Sequence, residues 1–355
     1  MCIRDSIRTI YLMGQMMIKD KIDAREKNFP HKELPIIDLG PIMAGDKSGI
    51  KELAKEWRNI AENLGFMCLI NHGVTQDKIE KMEEQIIRFH DQPVDFKMNI
   101  RVNDHQRGYI PSKTTILKHS EYEEHTKTDT VECLVLATDY ADDHPNVIAG
   151  KQFFSQNPWP ELDGFKEDVM DYWNGIIKMC KKLLPVWAEA LDVPEDFFEP
   201  HFEELYSYFR LAKYPKVDFV EEKEFGLGAH ADTGFMTILP MAKEPGLQVM
   251  DTNGEWFWPV IPEGALILNL GQFLERWTNE RFRATPHRVL PPKNNDRYSL
   301  ACFVNTSLDT VAHKIPSCVS DDNPMKYPEE SYWDFYKWYL QQTYTHYGKV
   351  AEEKQ

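Results

Sequence analysis

The sequence Gly226-Leu-Gly-Ala-His-Ala-Asp-Thr-Gly-Phe-Met-Thr-Ile-Leu239 places a histidine and an aspartate two residues apart, just before an apolar run. Alternate residues of a strand point to the same face, so His230 and Asp232 are predicted to project into one cavity while Ala231 points away. Three further His-x-acid pairs lack this setting and are expected to be surface coincidences. They are His31/Glu33, His119/Glu121 and His201/Glu203. The stretch therefore predicts a β core that carries two ligands of a metal.

A third ligand must come from another strand, and His287 is the candidate. It lies between the turn Ala284-Thr-Pro286 and the apolar pair Val289-Leu290. Two imidazoles and one carboxylate on one face of an octahedron leave three positions open, an arrangement that suits non-haem Fe(II) handling O₂. The same side chains could hold Zn²⁺ for hydrolysis, but the sequence has neither an H-E-x-x-H motif nor an obvious general-base carboxylate beside the pair.

Arg297 and Ser299 repeat the two-residue spacing ten residues after His287. An arginine that points into an apolar barrel is costly unless it meets an anion, and its planar fork matches a carboxylate. We expect both side chains to hold a carboxylate, with Tyr214 donating a further hydrogen bond. The alternatives are a structural salt bridge for Arg297 and Ser299, and a barrel-lining aromatic for Tyr214.

The rest of the sequence predicts helices around one β core. From about residue 205 to 312, short β runs are separated by Gly, Pro and Asn. Helical spacing marks residues 50–64 and a long helix from 165 that Pro185 should kink or shorten. Residues 332–339 predict an aromatic helix that packs back onto the body.

Composition limits the classes of function. The chain has 355 residues, 42% of them hydrophobic, and a formal net charge of −16. This charge argues against nucleic acid or an anionic membrane as the main partner, because both require a basic footprint. Six scattered cysteines without a C-x-x-C pair indicate a reducing compartment. Because no apolar run approaches the ~20 residues of a membrane-spanning helix, we expect a cytoplasmic protein.

The motifs resemble the isopenicillin N synthase-like branch of the Fe(II)/2-oxoglutarate-dependent oxygenases over most of residues 34–310. In the N-terminal half the resemblance rests on Leu34-Pro-Ile-Ile-Asp-Leu39, Leu64-Gly-Phe66, Asn71-His-Gly-Val74, Gly108-Tyr109 and Asn157-Pro-Trp-Pro160. In the C-terminal half it rests on Arg210-Leu-Ala-Lys-Tyr-Pro215, His230-Ala-Asp232, Pro245-Gly-Leu-Gln-Val249, Trp277-Thr-Asn279, Thr285-Pro-His-Arg-Val289 and Arg297-Tyr-Ser299. These motifs follow the family's order, which makes the resemblance specific.

The resemblance implies an α+β fold with a mainly β core, namely a double-stranded β-helix (jelly-roll) with flanking helices and an N-terminal α/β region. We expect a tail at 1–30 that is partly non-native, with Met13, Met16 or Met17 as the natural start. The other expected divisions are a non-haem dioxygenase region at 31–165, a supporting long helix at 166–204, the jelly-roll core at 205–312 and a C-terminal aromatic helix at 313–355.

For the site, the resemblance implies Fe(II) held by His230, Asp232 and His287. It implies that 2-oxoglutarate chelates the iron while its far carboxylate is held by Arg297, Ser299 and Tyr214. O₂ and 2-oxoglutarate would then yield succinate and CO₂ as a small-molecule substrate is oxidised, most commonly by hydroxylation. One departure is Ala212, because many plant relatives have Asn two residues before the tyrosine.

Two other functions stay open at this point. An oxidase of the isopenicillin N synthase type would use the same iron without 2-oxoglutarate, and Arg297 with Ser299 would then hold the substrate's own carboxylate. A ligand-binding protein that has lost catalysis is the third. The sequence does not identify the substrate or the oligomeric state.

Several single residues also have two readings. Asn269 either reaches the cofactor region or stabilises a turn, and Phe235 and Phe303 either line the substrate pocket or pack in the core. Arg107 is expected on the solvated surface rather than against an anionic substrate. The remaining histidines are expected in turns or on the surface. They are His72, His90, His105, His144, His313 and His346.

Overall fold

The computed structural model describes residues 23–26, 28–114, 122 and 128–343. The candidate start residues, His119/Glu121 and His346 lie outside the described residues. The strands are β1 (His31–Glu33), β2 (Ile36–Asp38), β3 (Phe66–Ile70), β4 (Gly108–Ile110), β5 (Glu132–Ala137), β6 (Ser207–Tyr214), β7 (Leu227–His230), β8 (Met236–Pro240), β9 (Leu247–Met250), β10 (Trp256–Val260), β11 (Leu266–Leu270), β12 (His287–Val289) and β13 (Arg297–Val304).

The described part of the chain also contains α-helices and three short 3-10 helices. The α-helices are α1 (Gly40–Met43), α2 (Ile50–Asn63), α3 (Gln76–His90), α4 (Val94–Met98), α5 (Pro145–Ile148), α6 (Phe165–Lys182), α7 (Leu184–Ala190), α8 (Gln272–Trp277) and α9 (Tyr332–Thr343). The 3-10 helices are Ala24–Glu26, Glu199–Phe202 and Pro316–Cys318. None of these helices is long and apolar enough to cross a bilayer.

The described strands form two sheets that enclose the site. The major sheet has the order β2-β3-β11-β8-β13-β6-β5-β4, and the minor sheet has the order β1-β10-β9-β12-β7. Buried apolar residues of the two sheets form common clusters between them: Tyr214 and Leu227 belong to one, and Phe66 and Val249 belong to another. This is the mainly β, α+β jelly-roll expected from the sequence, and its prediction is confirmed.

A layer of helices covers the outer face of the major sheet. Tyr172 of α6 stacks on Phe209 with ring centroids 5.7 Å apart, and the indole of Trp173 donates to the hydroxyl of Ser207 at 2.9 Å. The long helix ends at Lys182, and α7 begins at Leu184 with Pro185 in its first turn. This interruption is the effect expected of a proline, which cannot donate its backbone N–H within a helix.

The helical layer leaves the opposite face of β6 and β13 to the interior of the barrel. The two strands pair antiparallel over their whole length, with Arg297 opposite Tyr214 and Phe303 opposite Tyr208. The alternate residues that line the interior are Tyr208, Arg210, Ala212 and Tyr214 of β6 and Arg297, Ser299, Ala301 and Phe303 of β13. Each strand thus carries a row of side chains along one cavity.

Two expectations of surface exposure are wrong. Arg107 is fully buried, and its guanidinium donates to the carbonyl oxygens of Phe153 (2.7 Å) and Ala137 (3.3 Å). These acceptors offset the cost of burying its charge. His90 is 2% exposed, and its Nε2 lies 3.0 Å from the carbonyl oxygen of Leu211, which satisfies a polar atom in the core.

Candidate active site

Three side chains converge inside the barrel at the end of the minor sheet. Strands β7 and β12 pair antiparallel and place His230 directly opposite His287. The Nε2 atom of each imidazole lies 3.6 Å from Oδ1 of Asp232, and one ligand atom from each residue falls within 4.8 Å of the others. Strand β7 ends at His230, so Asp232 reaches the cavity from the loop that follows the strand. The prediction that both side chains lie on one strand is therefore wrong.

Backbone carbonyls fix the orientation of both imidazoles. Nδ1 of His230 lies 2.8 Å from the carbonyl oxygen of Gly228, and Nδ1 of His287 lies 3.1 Å from that of Thr285. A carbonyl accepts only, so each Nδ1 carries the proton and each Nε2 presents its lone pair to the cavity. Burial lowers the pKa of His287 to about 4, which keeps this imidazole neutral at neutral pH.

The carboxylate of Asp232 is held by one oxygen. Oδ2 accepts hydrogen bonds from the Thr237 hydroxyl and the Asn269 amide, each at 2.6 Å, whereas Oδ1 faces the two imidazoles. Burial alone would raise the pKa of Asp232, but the neighbouring imidazoles and the Thr237 hydroxyl hold it well below its usual range. The site therefore combines the neutral imidazole of His287 and the Nε2 atom of His230 with one ionised carboxylate.

Asn269 lies beside the metal-ligating carboxylate of Asp232. This is the cofactor region, which was one of the two positions predicted for Asn269 from the sequence. It lies on β11 directly opposite Thr237 of β8, which explains why both side chains reach the same carboxylate oxygen. Thr237 was missed as a functional residue. It could have been found in the sequence, because it lies in the alternating run that follows His230 and Asp232 and faces the same cavity.

A buried cation lies further along the same cavity. Arg297 is 4% exposed, and its Nε and Nη1 atoms make no hydrogen bond to any of the described residues. Its guanidinium carbon lies 5.1 Å from the centroid of the Tyr214 ring, and Ser299 lines the same cavity as Arg297 and the three converging side chains. Burial raises the pKa of Tyr214, so its phenol stays protonated and can donate.

Two glycines make room for this cation and its aromatic neighbour. A Cβ atom at Gly246 would lie 2.9 Å from Cδ of Arg297, and one at Gly226 would lie 2.8 Å from Cδ1 of Tyr214. Real Cβ atoms do not approach other atoms this closely, so a larger residue at either position would displace the neighbouring side chain.

Asp129 supports the site from outside the cavity and was also missed. Its Oδ1 accepts from the backbone N–H of Gly228 at 3.1 Å, and the carbonyl of Gly228 in turn meets His230. Burial raises the pKa of Asp129 to about 7. No local motif identified this residue, because it precedes β5, about a hundred positions before its partner.

The structure separates the two phenylalanines that the sequence left undecided. Phe303 lines the cavity beside His230 and Asp232. Phe235 is fully buried, with its ring 5.4 Å from that of Trp187, and belongs to the core. Only Phe303 can contact a molecule bound at the site.

The residues present fit Fe(II) and 2-oxoglutarate. Two imidazole nitrogens and one carboxylate oxygen are a donor set preferred by Fe(II) with positions left open for other ligands. The Nε and Nη1 atoms of buried Arg297 have no hydrogen-bond acceptor among the described residues, and a carboxylate fits a guanidinium. A molecule with a chelating end and a distal carboxylate satisfies both groups.

Comparisons with known proteins agree with this chemistry. Residues 34–162 match the profile described as the non-haem dioxygenase in morphine synthesis N-terminal region, and residues 206–306 match that of the 2OG-Fe(II) oxygenase superfamily. The chain is 30% identical over 334 residues to the 2-oxoglutarate-Fe(II) type oxidoreductase hxnY of Emericella nidulans, covering 90% of this chain and 94% of the relative.

Two solved structures extend the comparison. A 2OG-Fe(II) oxygenase family protein from Caulobacter crescentus is 28% identical with a TM-score of 0.75, covering 87% of this chain and 98% of that one. The dioxygenase for auxin oxidation 1 of Arabidopsis thaliana, in its binary complex with 2-oxoglutarate, is 26% identical with a TM-score of 0.59, covering 82% and 99%. The chain belongs to the 2OG-Fe(II) oxygenase superfamily and is an Fe(II)/2-oxoglutarate-dependent dioxygenase of its isopenicillin N synthase-like branch, using Fe(II), 2-oxoglutarate and O₂.

Proposed function

We propose that this dioxygenase hydroxylates a small-molecule metabolite. One oxygen atom of O₂ enters the substrate and the other enters succinate, as 2-oxoglutarate loses CO₂. The iron ligands are His230, Asp232 and His287. The groups that hold the far carboxylate of 2-oxoglutarate are Arg297, Ser299 and Tyr214. All six lie within 205–312, which supports the proposed division of the chain with this segment as the catalytic core.

The observation that carries the proposal is the buried guanidinium of Arg297. Its free donors lie on the same cavity as the three ligands, so one molecule can reach both. An oxidase that did not use 2-oxoglutarate would hold its substrate's own carboxylate there, so the choice between the two functions rests on the relatives. The relatives named as 2-oxoglutarate-Fe(II) oxidoreductases support the first function, and none of the comparisons favours the oxidase.

The protein's own residues supply orientation and exclusion of water. Bound Fe(II) supplies the redox chemistry with O₂. Thr237 and Asn269 donate hydrogen bonds that keep Asp232 ionised and fix its orientation. Its Oδ1 atom would therefore already be positioned to hold the metal. Arg297 and Tyr214 hold the cosubstrate in a buried position, where a charge-assisted hydrogen bond is stronger than in water.

A small metabolite is the substrate class that the chain supports. The Arabidopsis relative is named for oxidation of auxin, and we extend only the size class to this chain. The net charge of −16 disfavours a nucleic acid or an anionic membrane. We also propose a cytoplasmic location, because the five cysteines of the described residues are free and buried, as in a reducing compartment.

The proposal is tested by measuring succinate and O₂ together. With Fe(II) and 2-oxoglutarate but no added substrate, the wild type should form succinate slowly and consume one O₂ per succinate. Asp232→Ala should abolish this reaction. Glu203→Ala, which alters an exposed acid in another His-x-acid pair, should retain it. O₂ consumption without succinate would contradict the proposal and favour the oxidase.

A further inference from the structure

The cosubstrate end of the cavity is closed by a thin wall. The interior cavity, which contains the three iron ligands, and a separate outer pocket share the lining residues Leu239, Leu247 and Arg297. Met241 also lines the outer pocket and is 49% exposed, so this pocket opens to solvent. The guanidinium proposed to anchor 2-oxoglutarate therefore borders the interior cavity on one side and the outer pocket on the other.

Strand ends place this wall away from the iron ligands. Arg297 and Leu247 are the first residues of β13 and β9, and Leu239 is the last residue but one of β8. None of the three iron ligands lines the outer pocket. A displacement of Arg297 toward the outer pocket would therefore lengthen the space between the metal site and the cation.

The outer pocket has room for such a displacement. Its volume is about 410 Å³, whereas protein interiors are close-packed and have few voids larger than a water molecule. Most of its other walls are apolar side chains and prolines, which include Pro240, Met241, Ala242, Ile267, Leu290 and Pro291. On its outer side the guanidinium thus meets open space where packed atoms would be usual.

Few contacts hold the guanidinium in its position. In the described part of the chain, its Nε and Nη1 atoms donate no hydrogen bond. Its guanidinium carbon lies 5.1 Å from the centroid of the Tyr214 ring, and a cation–π attraction acts up to about 6 Å. Gly246 lies beside the arginine and has no side chain, where a Cβ atom would be 3.2 Å from Nε. An outward shift of about 1 Å would therefore keep the aromatic contact.

This freedom bears on the length of the cosubstrate. One additional methylene group lengthens a linear diacid by about 1.3 Å, which is slightly less than a C–C bond. An arginine that moved outward by this distance would still hold the distal carboxylate through charge-assisted hydrogen bonds. Because the cation would move toward water, the shift adds no desolvation cost. The geometry does not restrict the site to a five-carbon diacid.

We infer that this enzyme also uses 2-oxoadipate, the linear 2-oxo diacid one methylene longer than 2-oxoglutarate, as a cosubstrate. Arg297 moves toward the outer pocket and holds its distal carboxylate. The bond between C1 and C2 breaks and CO₂ leaves, while one oxygen atom of O₂ enters the product glutarate and the other enters the primary substrate. The 2-oxo acid and the substrate C–H bond each supply two electrons. This inference rests on the proposed function and extends it to a second cosubstrate.

The test compares three 2-oxo acids by anaerobic titration of the Fe(II)-loaded protein, followed by the visible charge-transfer absorption. They are 2-oxoglutarate, 2-oxoadipate and 2-oxohexanoate, the six-carbon acid without a distal carboxylate. The Kd for 2-oxoadipate should lie within tenfold of that for 2-oxoglutarate, and 2-oxohexanoate should bind at least tenfold more weakly than 2-oxoadipate. Arg297→Leu should remove the difference between the two six-carbon acids. With O₂ and ascorbate, the wild type should form glutarate from 2-oxoadipate.

A variant that fills the outer pocket tests whether the arginine moves. Ala242 lines the outer pocket but not the interior cavity. Ala242→Trp should weaken 2-oxoadipate binding at least tenfold and change the Kd for 2-oxoglutarate less than threefold. Ala242→Leu, a milder change, should act in the same direction. Ala149→Trp is the matched control, because Ala149 is exposed and lines neither space, and it should bind both diacids as the wild type does.

Three results would overturn the inference. The first is a Kd for 2-oxoadipate more than tenfold above that for 2-oxoglutarate in the wild type. The second is a pair of Ala242 variants that leave 2-oxoadipate binding unchanged or weaken both diacids alike. The third is a charge-transfer band with 2-oxoadipate but no glutarate. If 2-oxoglutarate itself gives no band, the proposed function has failed instead, and the first titration separates these cases.

Discussion

Asn269 donates its side-chain amide to Oδ2 of Asp232 at 2.6 Å, on the oxygen that does not face the imidazoles. The hydroxyl of Thr237 donates to the same atom at the same distance. Together they fix the carboxylate in one orientation, with Oδ1 directed to both Nε2 atoms. The geometry of the metal site therefore depends on residues that do not bind the metal.

Replacing Asn269 by Leu should weaken iron binding without unfolding the protein. Loss of a hydrogen bond to a ligating carboxylate typically costs 10- to 100-fold in metal affinity. Thr237→Val, which removes the other bond to Oδ2, should act in the same direction. Competition with a fluorescent Fe(II) chelator measures the affinity. Unchanged affinity in both variants would mean that Oδ2 needs no support.

Gly246→Ala should weaken 2-oxoglutarate binding selectively. The new methyl group would lie 2.9 Å from Cδ of Arg297 and 3.0 Å from the carbonyl oxygen of Leu290, so the guanidinium must move. A displacement that costs about 1.4 kcal/mol raises the Kd for 2-oxoglutarate tenfold. Gly49→Ala, where the methyl group meets no atom within 4 Å, is the control. Equal Kd values in the two variants would refute the role of this clearance.

Glu132 should make the fold sensitive to acid. Its Oε2 accepts from Nζ of Lys97 at 3.0 Å and from the hydroxyl of Tyr109. Burial alone would raise the pKa of Glu132, but these partners and the nearby His90 lower it from 4.5 to about 2. A lowered pKa stabilises the fold above pH 4.5, and this stability is lost as the pH falls toward 2.

The wild type should therefore lose about 2 kcal/mol of unfolding free energy through this group between pH 6 and pH 3. Glu132→Gln has no such titration and should lose correspondingly less over the same interval. Urea unfolding at the two pH values measures the difference. The same loss in both proteins would show that Glu132 does not carry this acid sensitivity.

The sequence was most informative where one strand carries the chemistry. The spacing of Arg297 and Ser299 reflects the alternation of strand β13, whereas Asp232 follows the end of the strand that carries His230; all four side chains do line one cavity. The β core and the interruption at Pro185 also followed from local patterns, because turn residues and a missing N–H act on their immediate neighbours, whereas the jelly-roll arrangement was implied by the family resemblance.

The supporting residues could not be predicted in the same way. Asp129 acts on His230 through Gly228, and Arg107 is satisfied by carbonyls of Ala137 and Phe153. These partners are brought together only by the packed fold, so no local pattern distinguishes them from surface residues. The burial of Arg107 could be predicted only from the carbonyls that accept its hydrogen bonds, and these carbonyls are distant from it in the sequence.

The same limit applies to the cavity that extends from His230 and Asp232 to the C-terminal helix. Its walls come from a turn at Gln106, from β6 and β13, and from Tyr336 and Leu340 of the C-terminal helix. Each of these residues reads individually as an ordinary core or surface residue. Only the packed fold brings them to one cavity beside His230 and Asp232.

The most direct test of the central claim is an anaerobic titration of the Fe(II)-loaded protein with 2-oxoglutarate, followed by the visible charge-transfer absorption. The wild type should give a saturable band. Arg297→Leu should bind iron equally well but require at least 100-fold more 2-oxoglutarate, with partial recovery in Arg297→Lys. Iron binding without a band, or an unchanged titration in Arg297→Leu, would contradict the assignment of Arg297 as the cosubstrate anchor.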